Sequence, residues 1–340
     1  MPNLDRSHLT VFFLTLLCLP LVACGGHSSN LATEHSAGLP LDSELMPPVI
    51  SEADPQPWLT GTRPAPLSLE QRWIVNAAEA KQLIEAGATL LDARKQRLAM
   101  GRLQGAIAVN WVNFSPSESA KRGRLLDDDA QLTQQLQALG ISAQTPVVVF
   151  ANPPNGWGED GRIVWMLRTL GHPQAVLVDG GFQALVEAKV PFQKGAIATP
   201  APGDFVVHRE STWDIQKDDL RNQLGSDNLA IIDTREPREF GGKTPYGEQR
   251  GGHLPNAINL HFKAFFQDDG TLKSPPALIT KLAEAGITPD TPVVVYCTGG
   301  VRSGWLAAVL VTLGYPVRNY AGSMWEWSAA PADSYPLQYP

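Results

Sequence analysis

A chain of 340 residues, 43% hydrophobic and 18% charged, has room for two ordinary globular domains and is not a single small disulfide-stapled module. With 27 Lys+Arg against 34 Asp+Glu the net charge is −7, which argues against a broad nucleic-acid surface and confines any cationic function to a local site. Of the three cysteines, Cys18, Cys24 and Cys297, the first two lie in a leader-like segment, so their fate decides which thiol remains.

Residues 1–23 carry Arg6 and then an apolar run over residues 9–23, broken only by threonines and Pro20, the pattern of a secretory signal. The run falls short of the roughly 20 apolar residues of a comfortable membrane span, and the polar residues 25–29 come directly after it. Leu21-Val22-Ala23-Cys24 resembles the lipobox of bacterial lipoproteins, which implies cleavage after residue 23 and lipid on Cys24; an uncleaved anchor is the alternative. Gly25 after that cysteine implies the periplasmic side of the outer membrane where the organism has two membranes. The exported protein would then meet the membrane through the lipid on Cys24 and keep Cys297 as its one free thiol, with no intramolecular disulfide. Residues 24–69, rich in Gly, Ser and Pro and without a sustained period, read as a tether, although Trp58 suits a strap packed on the first domain.

Beyond the tether the chain repeats itself. Leu90-Leu91-Asp92-Ala93-Arg94 returns 141 positions later as Ile231-Ile232-Asp233-Thr234-Arg235, and Val147-Val148-Val149-Phe150 returns after 146 as Val293-Val294-Val295-Tyr296. Leu170-Gly171-His172-Pro173 returns after 143 as Leu313-Gly314-Tyr315-Pro316, so order and spacing are both kept. A period this long means two homologous domains, 70–194 and 208–330, rather than a solenoid. The linker between them, 195–207, is supplied by the Pro-, Ala- and Gly-rich residues 196–203, and residues 331–340 form a tail. Within each repeat short β-branched strands alternate with amphipathic helices predicted over residues 77–86, 128–139, 275–285 and 302–313, ended by Gly87, Gly140, Gly286 and Gly314. Strands apolar on both faces in this alternation predict an α/β fold with two tandem parallel sheets flanked by helices.

In such sheets ligands sit beyond the carboxyl ends of the strands, and there the second repeat reads Cys297-Thr298-Gly299-Gly300-Val301-Arg302-Ser303. The two glycines let successive N–H groups turn inward, the helix starting near Arg302 adds its positive end, and Arg302 adds a charge. A cysteine at the rim of such a nest has its thiol pKa lowered from about 8.5, which makes a thiolate nucleophile available. The first repeat has Ala151 at the matching place and a longer loop, 11 residues to Gly161 against 8 from Cys297 to Gly304, so it is expected to be inactive.

The Cys-x-x-Gly-x-Arg loop, the duplicated Asp-x-Arg segments, His253-Leu254-Pro255-Asn256-Ala257 and Tyr320-Ala321-Gly322-Ser323-Met324-Trp325 together resemble the rhodanese family of sulfurtransferases over roughly residues 69–330. Asn256 stands in the family's glycine slot and Met324 where Trp or Phe is usual. The resemblance implies a tandem, two-domain sulfurtransferase in which Cys297 takes a sulfane sulfur from a small anionic donor, thiosulfate or 3-mercaptopyruvate, as a persulfide. It then passes the sulfur to a thiol or cyanide acceptor, without metal or organic cofactor. Thr298, Gly299, Gly300, Val301 and Ser303 would hold the persulfide and Arg302 would steer the donor. Asp233, Arg235 and Glu239 stand behind the loop as supporting residues, and Asp92 and Arg94 in the inactive repeat mark the Asp-x-Arg pairs as structural.

Related thiosulfate and mercaptopyruvate enzymes commonly place an arginine where this chain has Glu239, so Arg302 is expected to replace it, with Arg238, Lys243 or Arg250 as other candidates. The segment 241–252 is expected to border the site and, from its glycines, to be mobile. Glu326 reads as a catalytic, capping or surface acid, His253 as structural, and Trp305 as a fluorescent reporter of sulfur loading. Two alternatives stand beside the enzyme: a sulfur-relay or binding lipoprotein without turnover, and a cysteine-dependent phosphatase. The phosphatase pattern puts its arginine six places after the cysteine, where this chain has Ser303.

Overall fold

The structure is a computed structural model that describes residues 68–95, 101–153, 155–194, 199–226 and 228–340. The leader, Cys24, and the tether up to residue 67 lie outside the described residues. Among the described residues no helix is long and apolar enough to cross a membrane.

In the first repeat β1 (Ile74–Val75), β2 (Thr89–Asp92), β3 (Ile107–Ala108), β4 (Val147–Phe150) and β5 (Ala175–Val178) form one sheet in the order β1-β5-β4-β2-β3. In the second, β6 (Ala230–Asp233), β7 (Ile258–Asn259), β8 (Val293–Tyr296) and β9 (Val317–Asn319) form a sheet in the order β7-β6-β8-β9. Every strand pair in both sheets is parallel, as the alternation predicts.

The helices begin and end for local reasons. Asn76 caps α1 (Ala77–Glu85) with a complete capping box through Glu79, and the Asp128 carboxylate caps α2 (Asp129–Ala138). The predicted terminators Gly87, Gly140, Gly286 and Gly314 all adopt positive φ, the left-handed turn that a side chain resists. Gly286 follows α7 (Pro275–Glu284), whose first turn holds proline where no N–H is needed. Asn256 also takes positive φ, +60°, so asparagine serves in the glycine slot because its short polar side chain tolerates that region.

The two repeats share a core. The largest apolar cluster runs from Leu91 and Val149 in the first sheet to Val295 and Trp305 in the second repeat, while smaller clusters cover the outer face of each sheet. At its centre α3 (Glu159–Thr169) crosses α8 (Val301–Thr312). A Cβ on Gly161 would lie 2.3 Å from the Trp305 Cα, and one on Gly304 would lie 3.2 Å from the Arg162 Cα, so two glycines set how closely the helices approach.

Three segments are more firmly held than their composition suggests. In the linker, Phe205 and Val207 are buried and the Ala143 N–H donates to the Asp204 carboxylate at 2.9 Å. The tail closes over the second repeat: Tyr335 is buried against Trp327, and Gln338 exchanges backbone hydrogen bonds with His253. Segment 241–252, expected to be mobile, is pinned instead. Arg250 donates to the carbonyls of Trp327, Ser328, Ala330 and Tyr335, the Gln249 N–H donates to Ser328 Oγ, and the Tyr246 carbonyl accepts from the Trp325 indole. Its glycines serve close approach, since a Cβ at Gly251 would lie 2.1 Å from the Gly242 carbonyl oxygen.

Candidate active site

Strand register places the candidate nucleophile. Asp233 pairs with Tyr296 across β6 and β8, as Asp92 pairs with Phe150 across β2 and β4, so Cys297 and Ala151 are the first residues beyond equivalent strand ends. After Cys297 the chain turns through Gly300, whose φ of +77° starts α8. The Gly300 N–H donates to the Cys297 Sγ at 3.1 Å, and the Ser303 hydroxyl donates to the same sulfur at 3.6 Å. Gly299 is required by packing, because a Cβ there would lie 2.1 Å from the Trp325 ring. The start of α9 (Ser323–Ala329) grips the loop from the other side. Ser323 Oγ accepts from the Cys297 N–H at 3.1 Å, and the N–H groups of Met324 and Trp325 donate to the carbonyls of Cys297 and Thr298.

Cys297 is 1% exposed, and it is the free cysteine among the described residues. Burial by itself pushes the thiol pKa up; the Arg302 charge and donors from Ser303 and Gly299 outweigh it and leave the thiol below its ordinary value. The loop's N–H donors and the neighbouring guanidinium thus shift the balance at Cys297 toward the thiolate.

Arg302 does not stand as a free cation facing the donor. Its Nη1 and Nη2 donate to the two Glu239 oxygens at 2.6 and 2.8 Å, and Nη2 also donates to Thr298 Oγ1 at 2.7 Å. Glu239 is fully buried at the end of α6 (Pro237–Phe240); burial raises its carboxyl pKa, but the Arg302 hydrogen bonds and charge prevail and lower it. The residue at the usual arginine position is thus the counter-ion of the loop arginine, and Thr298 donates to both Glu239 and Glu248. The supporting pair Asp233 and Arg235 is a buried ion pair at 2.6 Å that also ties Arg235 to the Gly252 carbonyl. Its counterpart Asp92–Arg94, at 2.7 Å with Arg94 on the Gly101 carbonyl, has the same form in the repeat that lacks the cysteine. Both pairs fix the chain after a strand end.

A cavity of about 160 Å³ opens above Cys297. Thr298, Gly299, Val301 and Arg302 line it, while the Ser303 hydroxyl donates to the sulfur. Its walls include Trp111, Trp157 and Lys95 from the first repeat and Tyr246 and Trp325 from the second, none of which the loop sequence singles out as site residues. Tyr246 belongs to segment 241–252, which was expected to border the site and does, while position in the repeat hinted at two others: Lys95 directly follows the Asp-x-Arg segment, and Trp157 belongs to the loop that replaces the Cys297 loop. Lys95 is largely exposed and pairs with Glu159 at 3.4 Å.

Other candidates lie elsewhere. Arg238 pairs with Glu236, Arg250 holds the tail, and His253 stacks on Phe240 at 3.7 Å with Nδ1 3.1 Å from the Phe240 carbonyl. Glu326 accepts from the Tyr320 hydroxyl at 2.9 Å behind the loop, so it is neither a surface acid nor a wall of the cavity. Trp305 is buried in the helix crossing against Phe266, away from the cavity over Cys297, so Trp325 rather than Trp305 is the indole beside the loop.

The model of the rhodanese-like domain matches residues 76–188 and again residues 216–330. This chain belongs to the rhodanese-like family. The rhodanese-like repeat is thus present in tandem, with Ala151 in the first copy where the second has Cys297. The thiosulfate sulfurtransferase of Azotobacter vinelandii is 30% identical over 236 residues, which cover 69% of this rhodanese-like chain and 85% of that relative. Sulfur carrier protein TtuD of Thermus thermophilus is 32% identical over 242 residues, covering 67% and 82% respectively. Among solved structures, YnjE shares the fold with a TM-score of 0.69 at 20% identity, over 82% of this chain and 70% of that one.

Proposed function

We propose that this rhodanese-like protein is a sulfurtransferase whose nucleophile is Cys297. The observation that carries the reading is the Gly300 N–H 3.1 Å from a buried sulfur whose pKa is held below the ordinary thiol value. The Cys297 thiolate attacks the terminal sulfane sulfur of a donor such as thiosulfate; the donor's S–S bond breaks and its electron pair leaves with sulfite. The new S–S bond makes a Cys297 persulfide whose terminal anion is stabilised by the same N–H groups. An acceptor thiolate or cyanide then attacks that outer sulfur and returns Cys297 as thiolate, so no net redox change falls on the protein. With 3-mercaptopyruvate the C–S bond breaks instead and the carbon takes up a proton. The relative named thiosulfate sulfurtransferase supports the first donor, and the relative named sulfur carrier protein supports a second reading in which the persulfide is delivered to a protein partner. Neither needs a phosphate clamp; Arg302, tied to Glu239, is poorly placed to be one.

Thiocyanate formation from thiosulfate and cyanide, and pyruvate release from 3-mercaptopyruvate, test the enzyme with Cys297→Ala as control. Equal rates in both proteins would remove Cys297 from the chemistry. A stable gain of one sulfur atom by mass, discharged only by a protein thiol, would select the carrier reading. We place the protein on the bacterial cell envelope through lipid on Cys24, on the sequence of residues 21–24. Mass spectrometry of the mature amino terminus, with Cys24→Ala for comparison, tests that location; an unmodified leader overturns it.

A further inference from the structure

Arg162 belongs to the repeat without a nucleophile, yet its side chain ends beneath the Cys297 loop. It projects from α3, is fully buried, and donates from Nη1 to the Gly300 carbonyl at 3.5 Å and from Nη2 to the Gly123 carbonyl at 2.8 Å and Ser115 Oγ at 3.4 Å. A Cβ at Gly300 would lie 2.6 Å from Arg162 Nη1, so guanidinium and loop backbone are in direct contact. All three acceptors are neutral. Among the described residues no carboxylate lies within ion-pair distance of Arg162, and its Nε has no partner. A guanidinium taken out of water without a carboxylate in ion-pair contact is costly to a fold, and this one lies on the carbonyl of the residue whose N–H meets the Cys297 sulfur. Burial lowers the Arg162 pKa to about 10, against which the charges of Cys297 and Asp214 act in the opposite direction.

The other charges around the sulfur come already matched. Arg302 on α8 is neutralised by Glu239 from α6, Glu248 from segment 241–252 accepts from Thr298, Lys95 at the cavity pairs with Glu159, and Glu326 on α9 holds Tyr320. We propose that Arg162 is a positioning residue for Cys297: the repeat without a nucleophile lends the other a buried cation that has no carboxylate in ion-pair contact, Asp214 acting on it only from farther away, and that favours the thiolate and persulfide anions and holds Gly300 beside the sulfur. The role rests on the sulfur chemistry proposed above, and it gives the first repeat a task in the reaction beyond closing the cavity.

The test is the pH profile of Cys297 alkylation by iodoacetamide, a neutral probe, in the full chain, with the modified peptide identified by mass. Arg162→Gln is expected to move the midpoint up by about one pH unit, and Arg162→Lys, which keeps the charge, to restore most of it. Ser115→Asp places a carboxylate beside Arg162 without removing it; its midpoint is expected to rise too, while Ser115→Asn stays at the wild-type value. The Asp variant carries the test if Arg162→Gln does not fold. A folded Arg162→Gln or Ser115→Asp protein with the wild-type profile overturns the proposal. A wild-type thiol that titrates at or above about 8.5 would instead overturn the nucleophile reading itself, so the two failures are distinguishable.

Discussion

The loops after β4 and β8 leave equivalent strand ends and do opposite things. After β8 two glycines let the backbone fold under a sulfur, with a Cβ at Gly299 or Gly300 excluded by Trp325, Ala321 and Arg162. After β4 the chain reads Ala151, Asn152, Pro153 and continues to Trp157, and that indole becomes a wall of the other repeat's cavity. The comparison teaches that the cysteine alone does not make the site. The repeat with Cys297 differs by a loop that presents N–H groups, and the repeat with Ala151 contributes its own loop to the other copy's cavity.

The largest expected effect breaks the comparison outright. Moving the thiol, by Ala151→Cys in a Cys297→Ala background, should yield a folded protein with no thiocyanate formation above background, as for Cys297→Ala alone. Activity in the double variant would show that the cysteine suffices without its loop. Next come the glycines. Gly300→Ala, strained by φ of +77° and set against Ala321 and Arg162, should lose activity by at least about 100-fold and stability by about 1–3 kcal/mol. Gly156→Ala in the loop after β4 has no positive φ to strain and meets the Glu159 carboxylate at 2.8 Å and the Asn152 carbonyl oxygen at 3.4 Å, so it should cost less in a thermal melt.

Arg302→Gln sharpens the contrast between charge for stability and charge for chemistry. It leaves Glu239 buried without its partner, and chemical denaturation should show a loss of about 3–5 kcal/mol. Replacing the pair with apolar residues, Arg302→Met with Glu239→Leu, should recover most of that loss while leaving the thiol pKa raised, as read by alkylation.

The smallest effect concerns pH. Burial, with help from Glu159, pushes the Asp160 carboxyl up to about 7 at the start of α3. Its unfolded value is about 3.9, so between the two the folded state holds more protons, and stability falls as pH rises from about 4 through 7. Asp160→Asn should remove that slope; the difference between the two proteins, measured by denaturation at pH 5 and pH 8, isolates the contribution, on the order of a few kcal/mol at most. Equal slopes would show Asp160 ionised in the fold.

What was legible depends on where the information lies. Helix ends marked by Gly87, Gly140, Gly286 and Gly314, and the strand that delivers Cys297, depend on local rules of backbone and period, and all of them are found as read. Glu239 was read as a lost donor contact because its partner is 63 residues away along the chain, and only the fold brings Arg302 to it. The aromatic walls were invisible for the same reason: Trp111 and Trp157 are ordinary core aromatics in their own repeat until the second sheet is set against the first. Glycine-rich segment 241–252 looked loose because composition does not report that Arg250 holds four carbonyls.

The common core has a consequence for how the molecule comes apart. Because Leu91, Val149, Val295 and Trp305 belong to one apolar mass, severing the halves would bare the inner face of both sheets to water, leaving each only the smaller cluster on its outer face. The copy without the cysteine is therefore as much a part of the other copy's interior as of its own.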